Sequence, residues 1–214
     1  MRTSRAGFTL VELLVVICII GILVALTTVG IVKALDASKS NATQAMLDNI
    51  SGALSSYATR WGDYPPSHPD EVGLRAPNDT NNGIETLVAC LSSEKKGGAL
   101  FRAEDQLTNV DNDTVANAGK TMNWIFGTKE NPDNQLHEWM DLFGFTIFYM
   151  HGKDFAKPRK SLTGMMLQAG AETVTVGPEQ NPATKTFYGA GRFQLRSVGR
   201  DGKPGTGDDI RGSN

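Results

Sequence analysis

The sequence predicts an α+β fold in which one long N-terminal helix packs on a small C-terminal antiparallel β-sheet. Three observations support this prediction. An apolar run begins near residue 8, and helical periodicity continues from it without a proline until Pro65. Segments rich in β-branched and aromatic residues follow in the C-terminal third of the chain. A loop rich in glycine and aspartate, residues 197–210, comes after the last of these segments.

The first half of the helix, residues 8–33, is predicted to cross a membrane. From Leu13 to Val32 the polar side chains are threonines alone, and about 20 apolar helical residues span a bilayer core of about 30 Å. Arg2 and Arg5 precede the span, which places the N-terminus in the cytoplasm and the remainder across the membrane. A cleaved secretory signal normally has an apolar run of about 7–15 residues, which is shorter. A plain signal anchor fits the same hydropathy.

A carboxylate, Glu12, lies at the start of this apolar run. A charge inside hydrocarbon is unfavourable unless it has a partner, and no basic residue lies within helical reach of Glu12. Cleavage of the chain after Gly7 would place a new α-ammonium group on Phe8. That group could pair with Glu12 in the same helix, or between neighbouring subunits, where the pair would fix their axial register.

The run Gly7-Phe8-Thr9-Leu10-Val11-Glu12, followed by apolar residues, resembles the class III signal of type IV pilins and type II secretion pseudopilins. The resemblance implies that residues 1–7 are a prepilin leader and that a prepilin peptidase cleaves between Gly7 and Phe8. It further implies N-methylation of Phe8, a type IV pilin-like fold, and a role for Glu12 in assembly of a homo-oligomeric filament. Many relatives have a proline where this chain has Val29, so proline-dependent melting of the helix is not implied.

The second half of the helix, residues 34–60, is predicted to be amphipathic. Apolar residues at helical spacings form a stripe, and Pro65 and Pro66 forbid helix continuation soon after Arg60. Residues 61–214 are predicted to form an α+β head in the periplasm. The stripe that should carry the core of this head consists of Met46, Ile50, Leu54 and Tyr57.

Within the head, Gly83–Ser92 is predicted to be a short amphipathic helix. Three segments, 146–150, 173–176 and 193–197, have strand composition and are predicted to form one antiparallel sheet that packs on the helical stripe.

Residues 93–135 form a long polar insert between the short helix and the strands. Asp111 and Asp113, within it, lack the remaining ligand spacing of an EF-hand, and we predict that they are solvated acids rather than a cation loop.

The loop 197–210 can be a flexible polar tail or a calcium site, and composition alone favours the tail. Its Ser-x-Gly-x-Asp-Gly run, followed by Gly-Thr and Asp-Asp-Ile, resembles the calcium loop of major pseudopilins. The resemblance implies a structural Ca²⁺ bound by the side chains of Asp201 and Asp208 and by the backbone carbonyls of Val198 and Thr206. Asp209 would be a third carboxylate ligand or an outer group.

These features predict a structural protein and not an enzyme. No nucleophile motif or phosphate loop is present, the histidines are scattered, and 21 basic against 23 acidic residues do not suggest nucleic-acid binding. The first hypothesis is the major subunit of a type II secretion pseudopilus, anchored once in the bacterial inner membrane, that assembles in the periplasm and drives protein export across the outer membrane. Its partners would be prepilin peptidase, minor pseudopilins, the inner-membrane assembly platform and membrane lipid. The alternatives are a type IV pilin for adhesion, motility or DNA uptake, and a monomeric membrane-anchored periplasmic binding protein.

Overall fold

The computed structural model describes residues 7–75, 77–93, 100–101, 103–115, 126–127 and 132–213. Residues 1–6 of the predicted leader and much of the predicted insert lie outside these ranges. The chain divides after Lys39 into two compact units. In chain order the helices and strands are α1 (Leu10–Trp61), α2 (Asn82–Ser92), β1 (Leu107–Thr108), β2 (Phe126–Gly127), β3 (Pro132–Asp133), β4 (Glu138–Trp139), β5 (Phe148–His151), α3 (Lys160–Thr163), β6 (Gly164–Met166), β7 (Thr173–Thr175), β8 (Phe193–Ser197) and β9 (Ile210–Arg211).

The first unit consists of the N-terminal part of α1. Its large apolar side chains are exposed, as shown by Leu10 at 79% and Ile17 at 59%. Within the described ranges, α1 is the one helix long and apolar enough to cross a membrane. Exposed apolar surface of this extent is stable only in lipid or against other apolar helices, which agrees with the predicted anchor.

The second unit contains the rest of α1 together with all the strands. The predicted stripe is confirmed: Met46, Ile50, Leu54 and Tyr57 are buried, and Leu47, outside that prediction, is fully buried with them. α1 ends at Trp61 because Gly62 adopts φ +85°. The amide of Gly62 donates to the carbonyl of Ala58 over 2.8 Å and closes the last turn.

Helix α2 lies in the centre of this core. The predicted amphipathic pattern understated its burial, since every residue of α2 is buried. Gly83 sets how closely α2 approaches β5, because a Cβ atom at this position would lie 2.2 Å from the carbonyl oxygen of Tyr149.

The principal sheet has three antiparallel strands in the order β5–β8–β9. Tyr149 faces Leu195 across the first pair, and Ser197 faces Ile210 across the second. The prediction that residues 173–176 form the third strand was wrong. β7 instead pairs with β6 in a separate hairpin, and β9, which follows the glycine-rich loop, occupies the edge.

The segment that includes β9 is tied to α1 by two hydrogen bonds and one close approach. The side-chain amide of Gln44 donates to the carbonyl of Arg211 over 2.9 Å, and the amide of Ser213 donates to Asp48 over 3.2 Å. Between them, a Cβ atom on Gly212 would lie 2.9 Å from the hydroxyl oxygen of Ser51. The edge strand therefore packs directly against the helix.

Candidate functional site

Thr9 and Glu12 form a reciprocal capping box at the start of α1. The backbone amide and the hydroxyl of Thr9 donate to Oε2 of Glu12 over 2.9 and 2.8 Å. In return, the amide of Glu12 donates to the Thr9 hydroxyl over 3.2 Å. The Thr-x-x-Glu spacing is the standard signature of this cap, and it could have been recognised in the sequence. The carboxylate therefore has local partners before any cleavage at Gly7.

The residues at the predicted processing site are accessible. Gly7 and Phe8 precede the helix, and both are exposed, with Phe8 at 74%. A peptidase requires an exposed segment outside regular secondary structure, which these residues provide. Cleavage between the two residues and methylation of Phe8 remain predictions.

In the loop 197–210, the side chains of Asp201, Thr206 and Asp208 lie together, although Thr206 was predicted to bind calcium through its backbone carbonyl. The hydroxyl of Thr206 donates to Oδ1 of Asp208 over 2.6 Å and lies 3.2 Å from Oδ1 of Asp201. The amide of Asp201 donates to Oδ2 of Asp208 over 2.9 Å. These hydrogen bonds lower the pKa of Asp208, with the Thr206 hydroxyl making the largest contribution. The two carboxylates thus converge on one side of the loop.

The other two predicted ligands face different surroundings. Asp209 accepts hydrogen bonds from the amides of Gly205 and Thr206, and its Oδ2 lies 3.9 Å from the guanidinium of Arg196. The side chain of Val198 is buried in a second apolar cluster. Asp209 thus has partners other than the Thr206 hydroxyl, and its role as a third ligand or an outer group stays a prediction.

Gly199 lets the two ends of this loop meet. Its φ is +67°, and a Cβ atom there would lie 2.2 Å from the carbonyl oxygen of Asp208. A residue other than glycine would be strained by its backbone conformation and would also collide with the opposite side of the loop. The loop is therefore a closed turn and does not have the form of an open tail.

A second group of carboxylates, which we call the acid cluster, comprises Glu85, Asp111 and Asp113. One oxygen from each lies within 4.8 Å of the others. The prediction that both aspartates are solvated was wrong for Asp113, which is 7% exposed, whereas Asp111 is half-buried. The sequence pattern missed the cluster because Glu85 comes from α2, far away along the chain.

Burial and mutual repulsion raise the pKa values in this region. Burial, with Asp111 nearby, raises the pKa of Asp113 to about 7. Burial also raises the pKa of Glu138, which borders the cluster, to about 8. The pKa of Glu85 lies well above its usual value, first because of burial and then because of the negative charges of Asp113, Glu138 and Asp111. The environment of the cluster therefore disfavours the ionised forms of these carboxyl groups.

The buried histidines have structural partners. Nε2 of His151 lies 3.1 Å from Oδ1 of Asp63, and its Nδ1 accepts a hydrogen bond from the amide of Lys153. His68 lies 3.8 Å from Asp154. The prediction that the histidines are hydrogen-bonded or exposed holds for His151. It was wrong for His68, which is 5% exposed and whose Nε2 has no hydrogen-bond partner in the part of the chain that the structure describes.

Comparison with protein families gave one match. Residues 2–28 match the model of the prokaryotic N-terminal methylation motif. The chain carries a type IV pilin-like prepilin signal. The match covers the segment with Gly7, Phe8 and Glu12 and ends before the second unit begins. Neither the search of curated proteins nor the search of solved structures found a match.

The prepilin signal and the observed fold are consistent with each other. A long N-terminal apolar helix followed by small antiparallel sheets fits an α+β pilin-like fold, and the same helix fits anchoring in a membrane. The motif also implies processing by a prepilin peptidase and assembly into a pilus-like filament.

Proposed function

We propose that this protein is a structural subunit of a filament, the major pseudopilin of a type II secretion system. The observation that carries the proposal is the N-terminal part of α1, whose apolar side chains are exposed and whose first residues lie within the matched methylation motif. Such a surface needs lipid before assembly and neighbouring helices afterwards. The loop 197–210 supports the pseudopilin in preference to a surface pilin, because it resembles the calcium loop of major pseudopilins.

In this proposal, the span inserts with the N-terminus in the cytoplasm and the head in the periplasm. Prepilin peptidase removes residues 1–7 and methylates Phe8. The new ammonium on Phe8 then competes with Thr9 for the carboxylate of Glu12, and pairing with Glu12 of a neighbouring copy sets the axial register of the filament. The assembled filament, with minor pseudopilins and an inner-membrane platform, drives export across the outer membrane.

Two substitutions separate the charge of Glu12 from its role as a cap. Glu12→Gln keeps an acceptor suited to a capping box but removes the charge, so membrane insertion should persist and filament assembly should be lost. Thr9→Ala keeps the charge and removes the hydroxyl, at a local cost of about 1 kcal/mol, so assembly should persist. Filaments would be isolated by shearing or cross-linking after overproduction. Normal assembly by Glu12→Gln would refute the proposed pairing.

We further propose that the loop 197–210 binds a structural Ca²⁺. The side chains of Asp201 and Asp208 would be ligands, together with the backbone carbonyls of Val198 and Thr206, and Asp209 would be an outer group. The convergence of two carboxylates on the Thr206 hydroxyl supports this set. A bound ion would stabilise the head by linkage. Asp201→Ala combined with Asp208→Ala should reduce the calcium-dependent rise in melting temperature, and an unchanged rise would exclude this site.

Two further experiments test the assembly and the type of filament. Intact mass of the mature chain should correspond to loss of residues 1–7 and addition of one methyl group on Phe8, and a chain that keeps residues 1–7 would refute assembly by this route.

Deletion of the gene should stop protein secretion and leave external pili unchanged. Loss of external pili with normal secretion would instead indicate a type IV pilin.

A further inference from the structure

The acid cluster of Glu85, Asp111 and Asp113 holds more negative charge than its described surroundings neutralise. Glu85 is 1% exposed, and neither of its carboxylate oxygens accepts a hydrogen bond from the part of the chain that the structure describes. One oxygen each of Asp111 and Asp113, Oδ1 in both cases, is likewise buried without a partner there. An unpaired carboxylate in a protein interior is strongly unfavourable unless it is neutralised.

The hydrogen bonds that do exist hold these acids in place. The side-chain amide of Asn78 donates to Oδ2 of Asp111 over 2.8 Å and to Oδ2 of Asp113 over 3.3 Å. Asn109 brackets the backbone of Asp113, accepting from its amide over 3.0 Å and donating to its carbonyl over 2.7 Å. Asp111 is therefore held through Oδ2, and Asp113 through Oδ2 and its backbone, whereas Oδ1 of each has no hydrogen-bond partner among the described residues.

Glu138 borders the cluster but has its own partners. Its two oxygens accept from the side-chain amide of Asn81 over 2.9 Å and from the backbone amide of Val110 over 3.0 Å. It therefore offers no unpaired oxygen to the cluster. The unpaired oxygens belong to Glu85, Asp111 and Asp113, and Glu85 is directed at the other two, since its ligand atom lies within 4.8 Å of theirs.

We propose that Glu85, Asp111 and Asp113 bind one hard divalent cation, Ca²⁺, as a structural cross-link between α2 and the segment 109–115. Oxygens that share a Ca²⁺ at about 2.3–2.6 Å lie no further apart than twice that distance, which the observed spacing satisfies. The donors are carboxylates without histidine or cysteine, which favours Ca²⁺ or Mg²⁺ over Zn²⁺. Mg²⁺ usually keeps several bound waters, and the burial of Glu85 and Asp113 favours Ca²⁺.

This site is separate from the loop 197–210 in sequence and in ligands. A cation here would join a helix of the core to an irregular segment whose contacts with the β4 region include the hydrogen bonds from the amide of Val110 to Glu138 and from the amide of Val115 to the carbonyl of Asn134. The proposal does not depend on whether the protein forms a pseudopilus, because it concerns the folding of the head alone.

Calcium titration of the full chain in detergent tests the proposal. The protein, stripped of metal with a chelator, would be titrated with CaCl₂ by calorimetry in a background carrying Asp201→Asn and Asp208→Asn. We expect one equivalent of Ca²⁺ to bind in this background. Glu85→Gln should weaken that binding at least tenfold, and Asp113→Asn should do the same. The exposed Asp105 provides a matched control, since Asp105→Asn removes one charge from a neighbouring segment and should leave the affinity unchanged.

Thermal unfolding gives a second test, because Glu85→Gln should affect the melting temperature differently in chelator and in CaCl₂. In chelator, Glu85→Gln should raise the melting temperature, because a neutral amide replaces a buried carboxylate. With CaCl₂, the background chain should gain stability and the same chain with Glu85→Gln should not. If Glu85→Gln does not fold, Asp111→Asn tests the same ligand set.

Three outcomes would overturn the proposal. The first is a folded background chain that binds no Ca²⁺. The second is unchanged Ca²⁺ binding after Glu85→Gln and Asp113→Asn. The third is binding of MgCl₂ in place of CaCl₂. Because the loop ligands are removed in the background, failure here leaves the proposed loop site untouched.

Discussion

The contact between Gly83 and Tyr149 predicts opposite effects for the same substitution at two helical positions. Replacing glycine by alanine inside a helix normally stabilises it by about 1 kcal/mol. Gly52 in α1 is exposed, and a Cβ atom added to it would meet no other atom within 4 Å, so Gly52→Ala should show this gain. At Gly83, the added Cβ would lie 2.2 Å from the carbonyl oxygen of Tyr149.

The size of the destabilisation at Gly83 depends on which atoms can move to relieve the contact. The carbonyl belongs to a central residue of β5 that is paired with Leu195, so relief requires a shift of the whole α2 helix or the strand. Overpacking of this kind costs about 1–3 kcal/mol, and a backbone obstacle places it at the upper end. After the helical gain, Gly83→Ala should destabilise the head by about 2 kcal/mol, or lower the melting temperature by about 4–8 °C for a chain of this size.

Thermal unfolding of the full chain in detergent, followed by near-ultraviolet circular dichroism, measures both variants under one set of conditions. Gly52→Ala serves as the matched control, because it carries the same chemical change without the obstacle. The difference between the two variants should be about 3 kcal/mol. Equal stabilities would mean that α2 does not pack against β5 at the distance described, and the account of the core would fail.

Three further predictions concern the core, the loop and the sheet edge. Leu47→Ala should destabilise the head by about 2–5 kcal/mol in chemical denaturation, because Leu47 is fully buried; a loss below about 1 kcal/mol would contradict its placement. Gly199→Ala should weaken the proposed binding of calcium by the loop in calorimetry, since its φ is +67° and Asp208 blocks the added Cβ; unchanged affinity would contradict the closed turn. Burial acts to raise the pKa of Glu179, but the hydrogen bond from Arg211 and the charges of Arg196 and Arg211 hold it below its usual value. Its contribution to stability is therefore present above a pH of about 4.3 and is lost as the pH falls through the folded-state pKa, so the melting temperatures of the wild type and Glu179→Gln should converge in acid.

The long helix and the stripe it contributes to the core could be predicted from the sequence. Apolar residues recur at helical spacing, and no proline interrupts them before Pro65, so local information is sufficient. The strand with which a given strand pairs cannot be determined from the local sequence. Residues 173–176 alternate like any sheet strand, but alternation does not specify whether β7 pairs with β6 or with β8. The true edge strand, β9, is too short to give a pattern.

The difference between local and long-range information also explains which sites could be predicted from the sequence. Gly7, Phe8 and Glu12 lie in one short run, so the signal could be read directly. The loop 197–210 is also contiguous, and the meeting of Asp201 with Asp208 could be anticipated. The acid cluster could not, because Asp111 and Asp113 read as ordinary loop residues until Asn78 and Glu85 are brought to them by the fold.

The contacts between the segment 210–213 and α1 have a consequence for the order in which the head can form. Gln44 and Arg211 are separated by 167 positions, and Asp48 and Ser213 by 165. Contacts of such long range slow folding, because the intervening chain must be ordered before they form. The helix is synthesised first, so its apolar stripe stays uncovered until β8 and β9 have been made. Met46, Leu47 and Ile50, which are buried in the folded head, therefore lack their native contacts during that interval.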